Sequence, residues 1–313
     1  MSGAPMRPAG GAPTTASGPG GSIYDLGYQG YEGPRLGRRS ATVALFWHTV
    51  RSCFGVGRGG RAKIVPFSLA VLAILPAVIA VGFAALAAQI GRSVGELSPI
   101  RYDSYHGIVG IFIMLFCAAQ APELFGRDQR YGVLPLYFSR ALTRVDYAAA
   151  KVGGLVLALF LVDVAPQVVL LLGQIFLAAD PVTGFVHEAG AVPRFLLQGA
   201  VVAGLTSGLA ALIAAHTPRR AYATAAVIAI FILPPIIVAL IAGLASPEIA
   251  RVAVLFSPGD IMSGTNAAIF GTVTDNPTIA AVDLPAWAYV VAAVVGIAGS
   301  LALTVRRYFR IAT

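Results

Sequence analysis

Six long apolar runs separated by short charged stretches dominate this chain. They are Ile64 to Ile90, Ser104 to Pro122, Val152 to Ala179 (interrupted only by Asp163), Phe195 to Ala215, Ala223 to Ala245 and Pro285 to Val305. About 20 apolar residues in a helix cross the hydrocarbon core of a bilayer, so each run predicts a spanning helix. Pro76, Pro166 and the Pro234–Pro235 pair lie inside runs. They read as kinks, because neighbouring helices can satisfy the freed carbonyls. Ahead of the runs, Val43, Phe46, Trp47, Val50 and Phe54 fall at helical spacing with Arg39 and Arg51 off the stripe. This predicts an amphipathic helix lying in the membrane interface, ended by Gly55 to Gly60. A shorter uncharged run, Ile261 to Thr274, has 14 residues and predicts a half-helix on the extracytoplasmic side. The predicted fold is an all-α polytopic membrane protein of six transmembrane helices preceded by the interfacial helix. Its parts are a tail over 1–22, an N-terminal segment over 23–63 and a six-span domain over 64–313.

Composition agrees with that pattern. Of 313 residues, 57% are hydrophobic and 12% charged, against about 25% charged in soluble domains. No soluble class fits. The net charge of +8 does not indicate nucleic acid, because the basic residues sit at the ends of apolar runs and form no basic face. All but Arg92, Arg101, Arg194 and Arg251 of the 22 Lys and Arg residues fall in the N-terminus up to residue 63, the 123–151 loop, the 216–222 loop and the C-terminus. The positive-inside rule places those four segments, and so both termini, in the cytoplasm. Were Ile261 to Thr274 to span, Arg306, Arg307 and Arg310 would move outside, against that rule.

Several features are expected to carry no chemistry. Cys53 and Cys117 are the only cysteines and His48, His106, His187 and His216 are scattered, so neither a disulfide framework nor a metal site follows. The Gly/Pro/Ala/Ser/Thr-rich residues 1–22 are expected to be disordered. They hold no apolar signal-peptide core, which makes the first span an uncleaved insertion signal. Tyr24, Tyr28 and Tyr31 punctuate a Gly-rich run over 22–39 that reads either as a peptide docked on the membrane domain or as an extended linker. Gly55 to Ala62, GVGRGGRA, has the glycine spacing of a phosphate-binding loop. Arg61 replaces its lysine, Ala62 its hydroxyl, and no strand precedes it, so it reads as a flexible joint.

The residues with chemistry gather between the second and third spans, in QAPELFGRDQRYGVLPLYFSRALTRVDYAAAK from Gln120 to Lys151. Glu123, just past the second span, is set to pair with Arg127 if the helix continues. Gly132 opens a short apolar piece whose Val133, Leu134, Leu136 and Phe138 make a ridge. Arg127, Asp128, Arg140 and Arg144 rim it. Such a piece lies at a membrane surface and faces a partner. Elsewhere, Asp163 is the one acid inside a span, in LVDVAPQ beside Gln167. An ionisable group there is expensive. It reads either as a group lining a path or as a hydrogen-bonded residue fixing helix packing. Gly204, Ser207 and Gly208 make a small-residue face for close helix contact.

This order of elements resembles the permease subunit of ABC-2 type ATP-binding-cassette exporters. The likeness rests on Glu123, then Asp128, Arg130, Gly132 and Leu134, then Ser139–Arg140, Thr143–Arg144, Tyr147 and Lys151. Ala141 stands where the family often has proline, and Pro135 interrupts a Leu-x-Leu run. The opening YDLGYQGYEGPRLGR is similar to the start of actinobacterial members. The resemblance implies a multi-pass subunit of a bacterial cytoplasmic membrane, paired with a second permease copy and two ATPase subunits. The 120–151 loop would hold a coupling helix seated in a groove on the ATPase. Cofactors, ATP and magnesium, would belong to that partner chain, and this chain would be non-catalytic. The alternatives are a proton-driven secondary transporter using Asp163 and a non-transporting membrane scaffold.

Overall fold

A computed structural model describes residue 33 and residues 36–89, 101–139, 142–217, 219–274 and 276–310. The tail over 1–22, nearly all of the tyrosine-punctuated run, Arg92 and Arg140 lie outside them. Among the described residues there are helices and turns and no strand. Six helices are long and apolar enough to cross a membrane, so the chain is a multi-pass membrane protein. Each of the six overlaps one of the six apolar runs, differing from it by a few residues at the ends.

In chain order the elements are α1 (Gly37–Cys53), α2 (Arg61–Gln89), α3 (Tyr102–Arg130), α4 (Leu134–Phe138), α5 (Arg144–Leu177), α6 (Pro181–Glu188), α7 (Ala191–His216), α8 (Arg220–Leu244), α9 (Pro247–Val254), α10 (Pro258–Phe270), α11 (Pro277–Val282) and α12 (Ala286–Arg310). The spans are α2, α3, α5, α7, α8 and α12. Helix α3 runs past the second apolar run through a π-helical turn at Pro122–Gly126. Helix α5 starts at a capping box in which Thr143 and Asp146 satisfy each other's backbone amides. Pro76, Pro166 and the Pro234–Pro235 pair sit inside continuous helices, as does Pro66 in the first turns of α2.

Helix α5 is the axis of the bundle, packing against α1, α2, α3, α6, α7 and α12. Its contact with α1 is made by a glycine pair. A Cβ added at Gly154 would stand 2.7 Å from Thr49 Cβ and 3.1 Å from the Phe46 carbonyl oxygen. The inward face of α1 is therefore Leu45, Thr49, Val50, Ser52 and Cys53. Of the apolar stripe read from the sequence, only Val50 is buried. Val43 and Trp47 are half exposed. Protein packing has claimed a face rotated from that stripe. The turn after α1 brings Gly55, at φ +68°, against the Ala62 carbonyl, where a Cβ would come within 2.6 Å. Glycine is required there by both the angle and the space, and the joint binds α1 tightly to the start of α2.

The topology collects the basic segments at one end of the bundle. Arg58, between α1 and α2, meets Glu123 in α3, which also meets Arg220 at the start of α8. Arg38 in α1 pairs with Asp146 at the start of α5. Arg144 donates to the Phe309 carbonyl at the end of α12, and Arg307 to the Ala215 carbonyl at the end of α7.

At the opposite end, residues 245–285 leave α8 and return to α12. Within them α9 packs back against α8, and α10 then starts inside the bundle. Gly259, at the inner end of α10, lies against the Pro235 ring, about 13 Å down α8 from Leu244 at 1.5 Å per residue. From there α10 climbs back until Asn266 Nδ2 donates to the Asp103 carbonyl at the head of α3. Its 13 residues span about 20 Å, too short to cross. The half-helix expected over 261–274 thus occupies 258–270, begun by Ser257 as N-cap and ended by Gly271 in the left-handed region.

Candidate functional site

The loop between α3 and α5 is built from its buried side outward. Asp128 lies one turn beyond the π-helical turn, and its carboxylate accepts from Lys151 Nζ at 2.8 Å and from Tyr147 Oη at 2.7 Å. Lys151 also donates to the Leu124 carbonyl at 3.1 Å. Tyr147 is wholly buried, and Tyr308 of α12 packs edge-on against it at 5.2 Å. A buried ion pair of this kind is tolerable only because further hydrogen bonds complete it. It ties the end of α3 to α5.

This corrects the reading of Asp128 as a rim charge. The carboxylate faces inward and holds the loop to the bundle. Glu123 occupies the neighbouring position, with Arg58 at 3.2 Å, Arg127 at 3.6 Å and Arg220 at 3.6 Å. The Arg127 contact is the i,i+4 pair expected if the helix continued, which it does.

The ridge expected over 133–138 is divided. After the Arg130 turn, Gly132 takes φ +63° and reverses the chain. Leu134 then points inward and is buried. Phe138 and Tyr137 pack on Tyr147 at ring separations of 5.8 and 5.3 Å, and the Arg144 guanidinium covers the Phe138 ring at 5.6 Å. Leu136 and Tyr131, each 67% exposed, face outward beside the exposed Pro135. A five-residue helix with two faces cannot present all its apolar side chains to one side. The loop is therefore fixed from within and carries a small apolar tip outward.

Beside that tip lies a cleft of about 1000 Å³ between α1 and the loop, lined by His48, Arg51, Arg58, Glu123, Arg127 and Leu136 among others. Partial burial, with the nearby charges of Lys151 and Arg58, lowers the pKa of His48. The shift favours the neutral imidazole in the cleft wall.

Asp163 and Gln167 belong to a second site, about 18 Å further along α5 from Lys151. Asp163 is fully buried. Gln167 Nε2 lies 3.5 Å from Asp163 Oδ2 and donates to Gln198 Oε1 of α7 at 2.7 Å. His106 of α3 brings Nδ1 to 3.6 Å from Asp163 Oδ1. Gly199 makes room for the carboxylate, since a Cβ there would come within 3.1 Å of Oδ2. Asp163 Oδ1, His106 Nδ1, Gln167 Oε1 and Gln198 Nε2 are all buried without a hydrogen-bond partner. A polar cleft at the far end, lined by Asp103, Ser104, His106, Ser263 and Asn266 among others, reaches His106.

His106 is an ionisable neighbour of Asp163 that the local sequence does not pair with it. The available signal was its position as the one histidine inside an apolar run. The bond from Gln167 to Gln198 crosses 31 positions and had no local signal. Arg58 and Arg220 as partners of Glu123 depend on contacts across 65 and 97 residues and had no local signal.

No protein-family model matches this chain, and no curated protein matches it.

Proposed function

We propose that this chain is the membrane-spanning permease subunit of an ATP-binding-cassette exporter, moving a substrate across the bacterial cytoplasmic membrane while a separate soluble subunit hydrolyses ATP. The observation that carries the reading is the 127–139 loop. Its inner side is anchored to α5 through Asp128 and Lys151, and its outer side offers Leu136 and Tyr131. A push on that tip is delivered to the central helix without passing through a flexible joint. Lever and anchor are what a coupling element needs. The carrier pairs with a second permease copy and lies with both termini in the cytoplasm, because the basic end then faces inward.

Orientation has a direct test. In a variant lacking Cys53 and Cys117, a cysteine at Ser263, which lines the far cleft, is expected to react with an impermeant maleimide from outside the cell. Labelling only from the cytoplasmic side would reverse the topology.

A second reading is favoured by one specific observation, the approach of His106 to Asp163. In a proton-driven carrier this pair would take up and release the coupling proton. Asp163→Asn decides between the two, because the amide fills the same space and keeps a hydrogen bond to Gln167. Under ATP coupling the variant is expected to fold, to sustain ATPase turnover in its complex and to retain most transport. Loss of transport with folding and turnover intact would favour the proton-driven carrier.

A further inference from the structure

A groove of about 750 Å³ opens at the basic end, between the ends of α7, α8 and α12. Helices α8 and α12 both pack on α7 and α10 but make no extensive contact with each other. The gap between them is floored by Leu212 and Ile213 of α7 and walled by Leu303 of α12. Arg306, Arg307 and Arg310 line its mouth, and no acidic residue lines it.

The charges at this end are unevenly matched. Arg38, Arg58, Arg127, Arg220 and Lys151 all meet carboxylates. Among the described residues, none of the three arginines at the groove lies within 4 Å of one. Arg307 spends its Nε proton on the Ala215 carbonyl, while Arg306 and Arg310 are exposed and their side chains make no hydrogen bond to the described residues. An apolar slot between two spanning helices, headed by guanidinium groups that no described carboxylate neutralises, is complementary to one kind of molecule.

We propose that this groove binds an anionic phospholipid, with the headgroup phosphate between Arg306 and Arg310 and an acyl chain against Leu212, Ile213 and Leu303. Guanidinium groups bind phosphate oxygens through paired N–H donors. Basic pockets between spanning helices recognise acidic headgroups on the same physical grounds. The site does not depend on how transport is powered. Only its assignment to the cytoplasmic leaflet rests on the orientation proposed above.

The test is native mass spectrometry of the full-length protein in neutral detergent, titrated with phosphatidylglycerol or with phosphatidylcholine of the same acyl chains. Phosphatidylglycerol is expected to be retained selectively. Arg306→Gln and Arg310→Gln are each expected to weaken it about fivefold, the effect of one basic residue at an acidic membrane surface. Leu303→Trp is expected to weaken it by blocking the slot with no change of charge. Arg61→Gln, at the same end but outside the groove, is expected to leave it unchanged. Equal retention of phosphatidylcholine, or full binding by both arginine variants, would overturn the proposal. So would displacement of the lipid by equimolar inorganic phosphate, which would make this a free-anion site. A disulfide-linked dimer formed by Leu303→Cys would show instead that a second copy of the chain covers the groove.

Discussion

Lys151→Ala is expected to destabilise the protein by about 3–5 kcal/mol, the cost of removing one partner from a buried ion pair. The side chains of Lys151 and Asp128 are 6% and 13% exposed. Without the ammonium, the Asp128 carboxylate keeps only the Tyr147 hydroxyl, and the Leu124 carbonyl loses its donor. Asp128→Asn should cost less, because the amide oxygen still accepts from Tyr147. Combining Lys151→Met with Asp128→Asn should recover part of the loss, since no buried charge then remains. Thermal unfolding in detergent measures all three. A Lys151→Ala variant as stable as the wild type would mean that the pair does not anchor the loop.

Gly154→Leu is expected to lift α1 from α5. The obstacle includes Thr49 Cβ and the Phe46 backbone oxygen, which cannot swing aside as the end of a long side chain can. Overpacking of this kind costs about 1–3 kcal/mol, and Cys53 reports it. That thiol, on the inward face at the end of α1, is fully buried, and burial pushes its pKa up to about 12. Thiolate is the reactive form, so Cys53 should resist maleimide at neutral pH in the wild type. In a Gly154→Leu, Cys117→Ala protein it should label readily. If Cys53 stays protected and the melting temperature is unchanged, α1 is not seated on the glycine pair.

The spans were legible because the bilayer imposes a length and a composition on any segment that crosses it, and both are local properties. The half-helix was legible for the same reason, being too short to cross. The facing of α1 was not. Its five-residue apolar stripe describes one surface of an isolated helix, whereas Gly153 and Gly154, more than a hundred residues away, decide which surface is covered. The same limit applied to the loop. The sequence marks Asp128, Tyr147 and Lys151 as polar residues at recurring positions, but an inward salt bridge and an outward rim charge look alike until α3 and α5 are placed side by side. At Asp163 the residue itself was conspicuous. Its partner, His106, lies 57 positions earlier and meets it only through helix packing.

The proposal that an ATPase seats on the outward tip of the 127–139 loop is tested most directly by co-purification from native membranes. The comparison is between wild type and Leu136→Asp. Leu136 is exposed and packs on nothing essential to the fold, so the variant should insert and melt like the wild type. An apolar anchor at a protein interface is worth about 2 kcal/mol or more, which corresponds to a loss of about thirtyfold in affinity. The wild-type chain is expected to carry a soluble ATP-hydrolysing partner in stoichiometric amount, and Leu136→Asp to lose it. A folded, membrane-inserted Leu136→Asp protein that keeps its full complement of ATPase and transports normally would contradict the account.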